Sequence, residues 1–370
     1  MQVRRPDDMR ERIRMLSGAL RGLADRPVKV MEVCGTHTVS IFRQGLRALL
    51  PPDVELVSGP GCPVCVTSQG EIDAAVSLAG LSGTTVATYG DMLKVPGSGT
   101  TLEEERSRGA DIRVVTSADQ ALSMARGDRK RNVVFVAVGF ETTAPATASV
   151  VIDAVREDLD NFMVLNLHKS VPPALEALAS DPEVKLDALL LPGHVSVITG
   201  LGPYRFLPEK YGIACAVAGF DAEDIMLALV EVTKQVRKQE PLVASLYGRA
   251  VRPLGNTEAR SVMEKVFTMK DASWRGLGVI PSSGYSLREE FSRLDVLERL
   301  GMTVNSTLPP EGCMCGEVLK GLIDPPSCGL FGASCTPVHP VGPCMVSTEG
   351  SCAAFYRFQR GRRTDWEHLP

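Results

Sequence analysis

The feature that most constrains this chain is a unit repeated eight times between residues 28 and 218. An apolar, β-branched run of four to six residues ends in a turn rich in glycine and proline, and a helical pattern usually follows. The runs fall at 28–33, 54–57, 84–88, 112–116, 133–138, 162–167, 188–191 and 213–218. Continuous apolar strands alternating with helices predict parallel sheets covered on both faces. Taken in succession, the two sets of four predict two similar parallel-sheet α/β domains around a cleft, at 1–127 and 128–238. The openings CGTHT (34–38) and GFETT (139–143) are expected to hold the same place in the two halves, as a duplication would leave them. The spacing of Met9, Ile13, Leu16, Leu20 and Leu23 predicts a helix over 6–25.

After residue 240 the alternation weakens. Helices are predicted over 260–270 and 287–300. From Pro309 the chain is rich in Cys, Gly and Pro, with few long apolar runs. Such a segment buries little core alone and calls for a staple, of which a metal centre is one kind. Residues 239–370 are therefore read as a smaller, helical and loop-rich third domain.

Charge narrows the function classes. Lys+Arg 40 against Asp+Glu 44 gives a net charge of −4, without the basic excess of a nucleic-acid binder. No run of 18 apolar residues predicts a membrane span. The N-terminal MQVRRPDDMRERIRML is charged and carries no secretory pattern. A cytoplasmic, reducing setting is expected, in which the ten cysteines serve as metal ligands or redox thiols rather than structural disulfides.

Open α/β sheets bind ligands beyond the carboxyl ends of their strands. Cys34, His37, Cys62, Cys65, Asp91, Glu141, His168, His194 and Asp221 all fall at such ends, which predicts a shared functional cleft. In Gly59-Pro60-Gly61-Cys62-Pro63-Val64-Cys65, a CxxC pair ends a strand before a helical pattern. It reads as a thioredoxin-type redox pair, as half of a zinc site, or as two buried thiols. Cys34 precedes a helix, where a thiolate is favoured, with Thr36 or Thr38 as the expected cap and His37 three residues on. That combination suits a soft-metal ligand or an activated nucleophile. Glu141 is a candidate ligand-orienting group or general base, ahead of a helix capped by Thr142 or Thr143. His168 and His194 are candidate supporting groups.

Cys313, Cys315, Cys328, Cys335, Cys344 and Cys352 crowd into the tail. Long irregular spacings through Gly/Pro loops, without paired C-x2-C knuckles, favour a four-iron cluster over zinc. Cys313, Cys328, Cys335 and Cys352 leave gaps of 14, 6 and 16 residues, and Cys315 in place of Cys313 makes the first gap 12. Spacing alone does not choose between these two.

MEVCGTHT, SGPGCPVC, VGFETTAPATA, LPGHVSVITG and the run from CMCGEVLKG to GSCAAFY occur in this order along nearly the whole chain. The sequence resembles the HypD family of [NiFe]-hydrogenase maturation proteins. The resemblance implies two α/β domains around a cleft and a lobe bearing a [4Fe–4S] cluster. It implies a scaffold, rather than a turnover enzyme, on which iron receives two cyanides and one carbonyl. A small HypC-type chaperone and a HypE-type cyanide donor are the implied partners. By motif, Cys34 would hold the iron beside His37, and Cys62 and Cys65 would be the redox pair and the other metal-facing thiols. Glu141 and His194 would line the cleft. Cys313, Cys328, Cys335 and Cys352 would hold the cluster, with Cys315 the rival for the first place and Cys344 the least expected ligand. The competing reading is a stand-alone thiol–disulfide oxidoreductase with a structural metal centre. It leaves a third strand-end cysteine with a histidine unexplained.

Overall fold

The computed structural model describes residues 6–359. The strands form two parallel sheets and one antiparallel hairpin. The first sheet runs β2 (Val54–Ser58), β1 (Val28–Glu32), β7 (Ala188–Pro192), β8 (Ala214–Ala218), β9 (Val243–Ser245). The second runs β4 (Asp111–Val114), β3 (Thr84–Thr88), β5 (Asn132–Gly139), β6 (Phe162–His168). The hairpin pairs β10 (Phe267–Trp274) with β11 (Gly278–Leu287).

Each predicted run forms a strand within a residue or two, but the strands do not divide as consecutive fours. The chain leaves the first sheet after β2, builds all of the second, and returns at β7, so β1 pairs with β7 from Val30↔Ala188 to Glu32↔Leu190. The division at 127/128 thus falls inside the second sheet, between β4 and β5. Side-chain alternation explains how the two sheets stay together. On β5, Val133, Phe135 and Ala137 face an outer core, while Val134, Val136 and Val138 face a central one. On β1, Val28 and Val30 face outward, and Met31 faces that same central core. The central core therefore joins both sheets, and it also takes in Trp274 of the hairpin and Cys62, Cys65, Cys315, Cys335, Cys344 and Cys352.

The helix predicted over 6–25 spans Pro6–Leu23. The helix predicted over 260–270 instead stops at Val266, where β10 begins. That predicted over 287–300 is a strand end, a 3-10 turn Glu289–Leu294 and a short helix Val296–Leu300. Among the described residues no helix is long and apolar enough to cross a membrane.

Candidate functional site

In a doubly wound sheet the crevice opens where the strand order reverses direction. Here that point lies between β1 and β7 in the first sheet and between β3 and β5 in the second. CGTHT follows β1, and Pro192-Gly193-His194 closes β7 and opens the next helix, so both border the first crevice. Tyr89-Gly90-Asp91 and GFETT border the second. By position GFETT therefore corresponds to the His194 segment rather than to CGTHT.

Cys34 is the N-cap of the helix Gly35–Arg43, but no side chain caps that helix. Neither threonine acts as expected: the Thr38 hydroxyl donates to the Cys34 carbonyl, and Thr36 donates to Glu349 Oε1 at 2.6 Å. Burial pushes the Cys34 thiol up to about 11, and the Glu349 charge adds to this; the N–H groups of His37 and Thr36 pull the other way. The helix terminus favours a thiolate, as the sequence suggests, but desolvation wins. A metal ion at this sulfur would have to displace its proton.

The two cysteine motifs meet through their backbones. Gly35 N–H donates to the Gly61 carbonyl at 3.1 Å. A Cβ on Gly61 would land on the Cys34 backbone, so only glycine permits this approach. The next residue, Cys62, caps the short helix Pro63–Val66, its sulfur accepting from Cys65 N–H at 3.2 Å. Cys62 and Cys65 are joined in a disulfide with 5.2 Å between Cα atoms.

His37 is fully buried. Its Nε2 donates to the Gly219 carbonyl at 2.9 Å, while Nδ1 has no partner. Burial lowers its pKa to about 4, so the ring is neutral and Nδ1 carries a free lone pair. Phe220 lies between the histidines, 4.8 Å from the His37 ring and 4.0 Å from that of exposed His194. The Glu349 charge reaches His194 as well as Cys34.

The second crevice is closed. Glu141 is buried, with Oε1 accepting from Ser170 Oγ at 2.7 Å and Val171 N–H at 3.0 Å, and Oε2 without a partner. Burial raises its carboxyl to about 7. It does not join the Cys34 group directly; Tyr204 lies within electrostatic range of both. His168 is satisfied on both nitrogens, by Asn166 Oδ1 at 2.6 Å and Thr143 Oγ1 at 3.0 Å. Thr143 holds the N-cap position but spends its hydroxyl on His168 Nε2 instead of on a cap. Lone Cys215 is buried in β8, its thiol donating to the Ile213 carbonyl at 3.4 Å, and is a core residue.

The tail cysteines converge. Cys313, Cys315, Cys328, Cys335 and Cys352 line one small recess with Val318, Leu330 and Met345. Cys313 and Cys315 sulfurs are 3.2 Å apart, and this bond holds Cys313 below the ordinary thiol range. A Cβ on Gly342 would strike both sulfurs. Cys344 is buried within hydrogen-bonding range of Cys315 and Cys352, off the recess wall. Among the described residues no three His, Cys, Asp or Glu side chains close on one point, as ligands of a single ion would. Once deprotonated, these thiols could serve as soft metal ligands.

This lobe sits on the cysteine motifs. The segment before the last helix is pinned by Ser347 Oγ and Thr348 N–H donating to Asp91. Glu349 packs against Gly35, where a Cβ would collide with it. The Phe42 and Phe355 rings are 4.5 Å apart. Sequence reading missed Glu349, Tyr204 and Glu32. Glu32 is buried, raised to about 7 by desolvation and bonded to Ser58 at 2.7 Å. A carboxylate ending β1, just before the CGTHT motif, was the available signal for it; Glu349 carried none.

Comparison with known proteins points to one family. The HypD profile, described as the hydrogenase formation hypA family, matches residues 9–359. A protein of Methanocaldococcus jannaschii named for hydrogenase expression and formation is 45% identical over 333 residues, covering 90% of this chain and 92% of its own. Hydrogenase maturation factor HypD of Rhodobacter capsulatus is 39% identical over 358 residues, 95% of each chain. That of Escherichia coli is 39% identical over 351 residues, 95% of this chain and 94% of its own. With the profile match and the full-length similarity in accord, this chain belongs to the HypD family of hydrogenase formation proteins.

Proposed function

We propose that this hydrogenase maturation factor is a scaffold that holds iron at Cys34 while two cyanides and one carbonyl are attached. The observation that carries the reading is the contact of the Cys34 backbone with Gly61, the residue before Cys62, at the crevice that His194 also borders. It brings one free thiol and one disulfide to the same strand ends. Low-spin iron(II) carrying strong-field cyanide and carbonyl takes soft thiolate partners. Cys34 supplies one, and Cys62 and Cys65 supply two more once their bridge is open. The neutral His37 leaves one lone pair, on Nδ1, unpartnered.

Cys313 or Cys315, with Cys328, Cys335 and Cys352, would hold a [4Fe–4S] cluster. Such a cluster, when bound, supplies electrons singly from a low-potential donor. Two electrons and two protons open the Cys62–Cys65 bridge to a dithiol. Cys62, Cys65, Cys315, Cys335 and Cys352 share the central core, which supports that relay. A HypC-type chaperone would share the iron and a HypE-type protein would donate cyanide, in the cytoplasm. A stand-alone thiol oxidoreductase leaves Cys34 and His37 without work.

Infrared spectroscopy of the chain co-purified with its small partner tests the scaffold reading. Cys34→Ala is expected to abolish the bands of iron-bound cyanide and leave the visible absorption of the cluster intact. Cyanide bands of full intensity in that variant would refute the assignment. Cys62→Ala that keeps its cluster yet assembles cyanide-bearing iron at full yield would refute the relay.

A further inference from the structure

One turn of the backbone holds both histidines of the first crevice. Gly219 and Phe220 follow β8 and precede the helix Ala222–Lys238. The Gly219 carbonyl accepts from His37 Nε2, and the Phe220 ring takes the face of His194, with centroids 4.0 Å apart and planes 26° apart. His194 is exposed and its ring forms no hydrogen bond among the described residues, so this stack is what holds it. Phe220 is itself held from several sides. Its carbonyl accepts from Gln44 Nε2 at 3.4 Å, its ring lies 4.8 Å from that of His37, and Tyr247 meets it edge-on at 5.9 Å and 85°. The Arg249 guanidinium covers the Tyr247 ring at 4.6 Å and is paired with Asp224, its Nη1 2.8 Å from Oδ1. Two glycines permit the approach. A Cβ on Gly193 would strike the Ala218 carbonyl and crowd Tyr247 and Phe220, and one on Gly219 would strike Asp224 and Tyr247.

An imidazole donates and accepts in the plane of its ring. Fixing that plane on Phe220 therefore fixes where both nitrogens of His194 point, whereas an unsupported exposed side chain exchanges among its rotamers. His194 and Cys34 border the same crevice, and the Glu349 charge reaches both. Cyanide bound to iron through carbon keeps a lone pair on its nitrogen, an acceptor for such a ring N–H. We infer that Phe220 is a positioning residue, backed by Tyr247 and Arg249, that sets the ring plane of His194 for a hydrogen bond to the cyanide on iron held at Cys34. The inference rests on the scaffold reading above for its ligand, and on the stack alone for the fixed ring.

The test has two arms. In the first, the full chain alone, with isotope-labelled histidine rings, is read by NMR, where a ring stacked on a phenyl face is displaced upfield. The His194 signal is assigned by its absence in His194→Ala. Phe220→Leu is expected to abolish the displacement, and Tyr247→Phe, which keeps the supporting ring, to preserve it. An unchanged His194 signal in Phe220→Leu would overturn the inference. If that variant does not fold, Tyr247→Leu decides in its place: a moved signal supports the stack, and an unmoved one overturns it. The second arm reads the infrared bands of iron-bound cyanide in the chain co-purified with its small partner. Phe220→Leu is expected to weaken them about tenfold, as misplacement of a reacting group does. His194→Ala should do the same and the double variant no more, because both changes remove one interaction. If Phe220→Leu cost as much in the His194→Ala background as in the wild type, its role would be merely structural and the inference would fall. Full cyanide bands in Cys34→Ala would instead sink the scaffold reading, a result separate from either arm.

Discussion

The two crevices have the same topology and opposite contents. At the first, Cys34 is a free thiol, His37 has an unpartnered nitrogen, His194 is exposed, and the Glu349 charge reaches both Cys34 and His194. At the second, His168 is bonded at both nitrogens and Glu141 is buried behind Ser170 and Val171. Parallel winding delivers strand ends to both places equally. The first leaves a thiol and an imidazole nitrogen free, while the second pairs His168 fully and leaves only Glu141 Oε2 without a partner among the groups named. The second crevice also anchors the hairpin: Lys169, just past β6, donates to Glu71 at 2.8 and 2.9 Å and to the Ser273 carbonyl at 2.8 Å.

That ion pair gives the largest expected effect. Lys169 is almost fully buried and Glu71 nearly so. Lys169→Met would leave the Glu71 carboxylate buried and unpaired, a loss of about 3–5 kcal/mol. Adding Glu71→Gln should recover part of it by removing the stranded charge. Denaturant unfolding of the two variants and the wild type checks this. A single variant of wild-type stability would mean that the second crevice is not the structural one.

Glu141 gives a smaller effect with a pH signature. The unfolded chain loses this proton near 4.5, whereas the folded protein keeps it until about 7. Between those values the folded state binds more protons, so this group's contribution to stability falls as pH rises through the window and is level above it. Glu141→Gln removes that dependence. It is expected to be neutral near pH 4.5 and stabilising by up to about 3 kcal/mol at pH 8. The check is the unfolding midpoint at both pH values; an equal shift at each would contradict the assignment. Retained cyanide bands in this variant would further separate the two crevices, because they would place Glu141 outside the iron chemistry.

The strands were legible because a strand buried on both faces is apolar throughout, and Val133 to Val138 shows it. Their allocation to sheets was not, since each such run resembles every other and nothing local marks where the chain crosses over. The hairpin was hidden for another reason. Phe267–Trp274 is exposed over Thr268, Met269, Lys270 and Asp271, so it lacks an apolar run and follows on from a true helix. Of the site, Cys34, Cys62, Cys65 and His194 were readable because each ends a strand or opens the helix after it. Glu349 was not, because its partner Thr36 lies 313 residues away. Gly61 and Gly35 stood in the motifs, but their need to be glycine arises only from the contact between segments.

The smallest effects come from two matched threonines, and they divide the crevices most sharply. Thr36 donates to Glu349 and Thr143 bonds His168. Thr143→Val leaves a buried imidazole nitrogen without a partner, which costs about 1–3 kcal/mol. Thr36→Val frees a carboxylate that water can reach, because Glu349 is only half-buried; the loss there should stay near 1 kcal/mol or below. Function should rank the other way. Thr36→Val releases the lobe's hold on the Cys34 helix and should weaken the infrared bands of iron-bound cyanide, while Thr143→Val, once folded, leaves them at full intensity. Thermal unfolding and infrared intensity measured on the same two samples decide it. If both threonines shifted stability and cyanide bands in the same order, the division of labour between the two crevices would be lost.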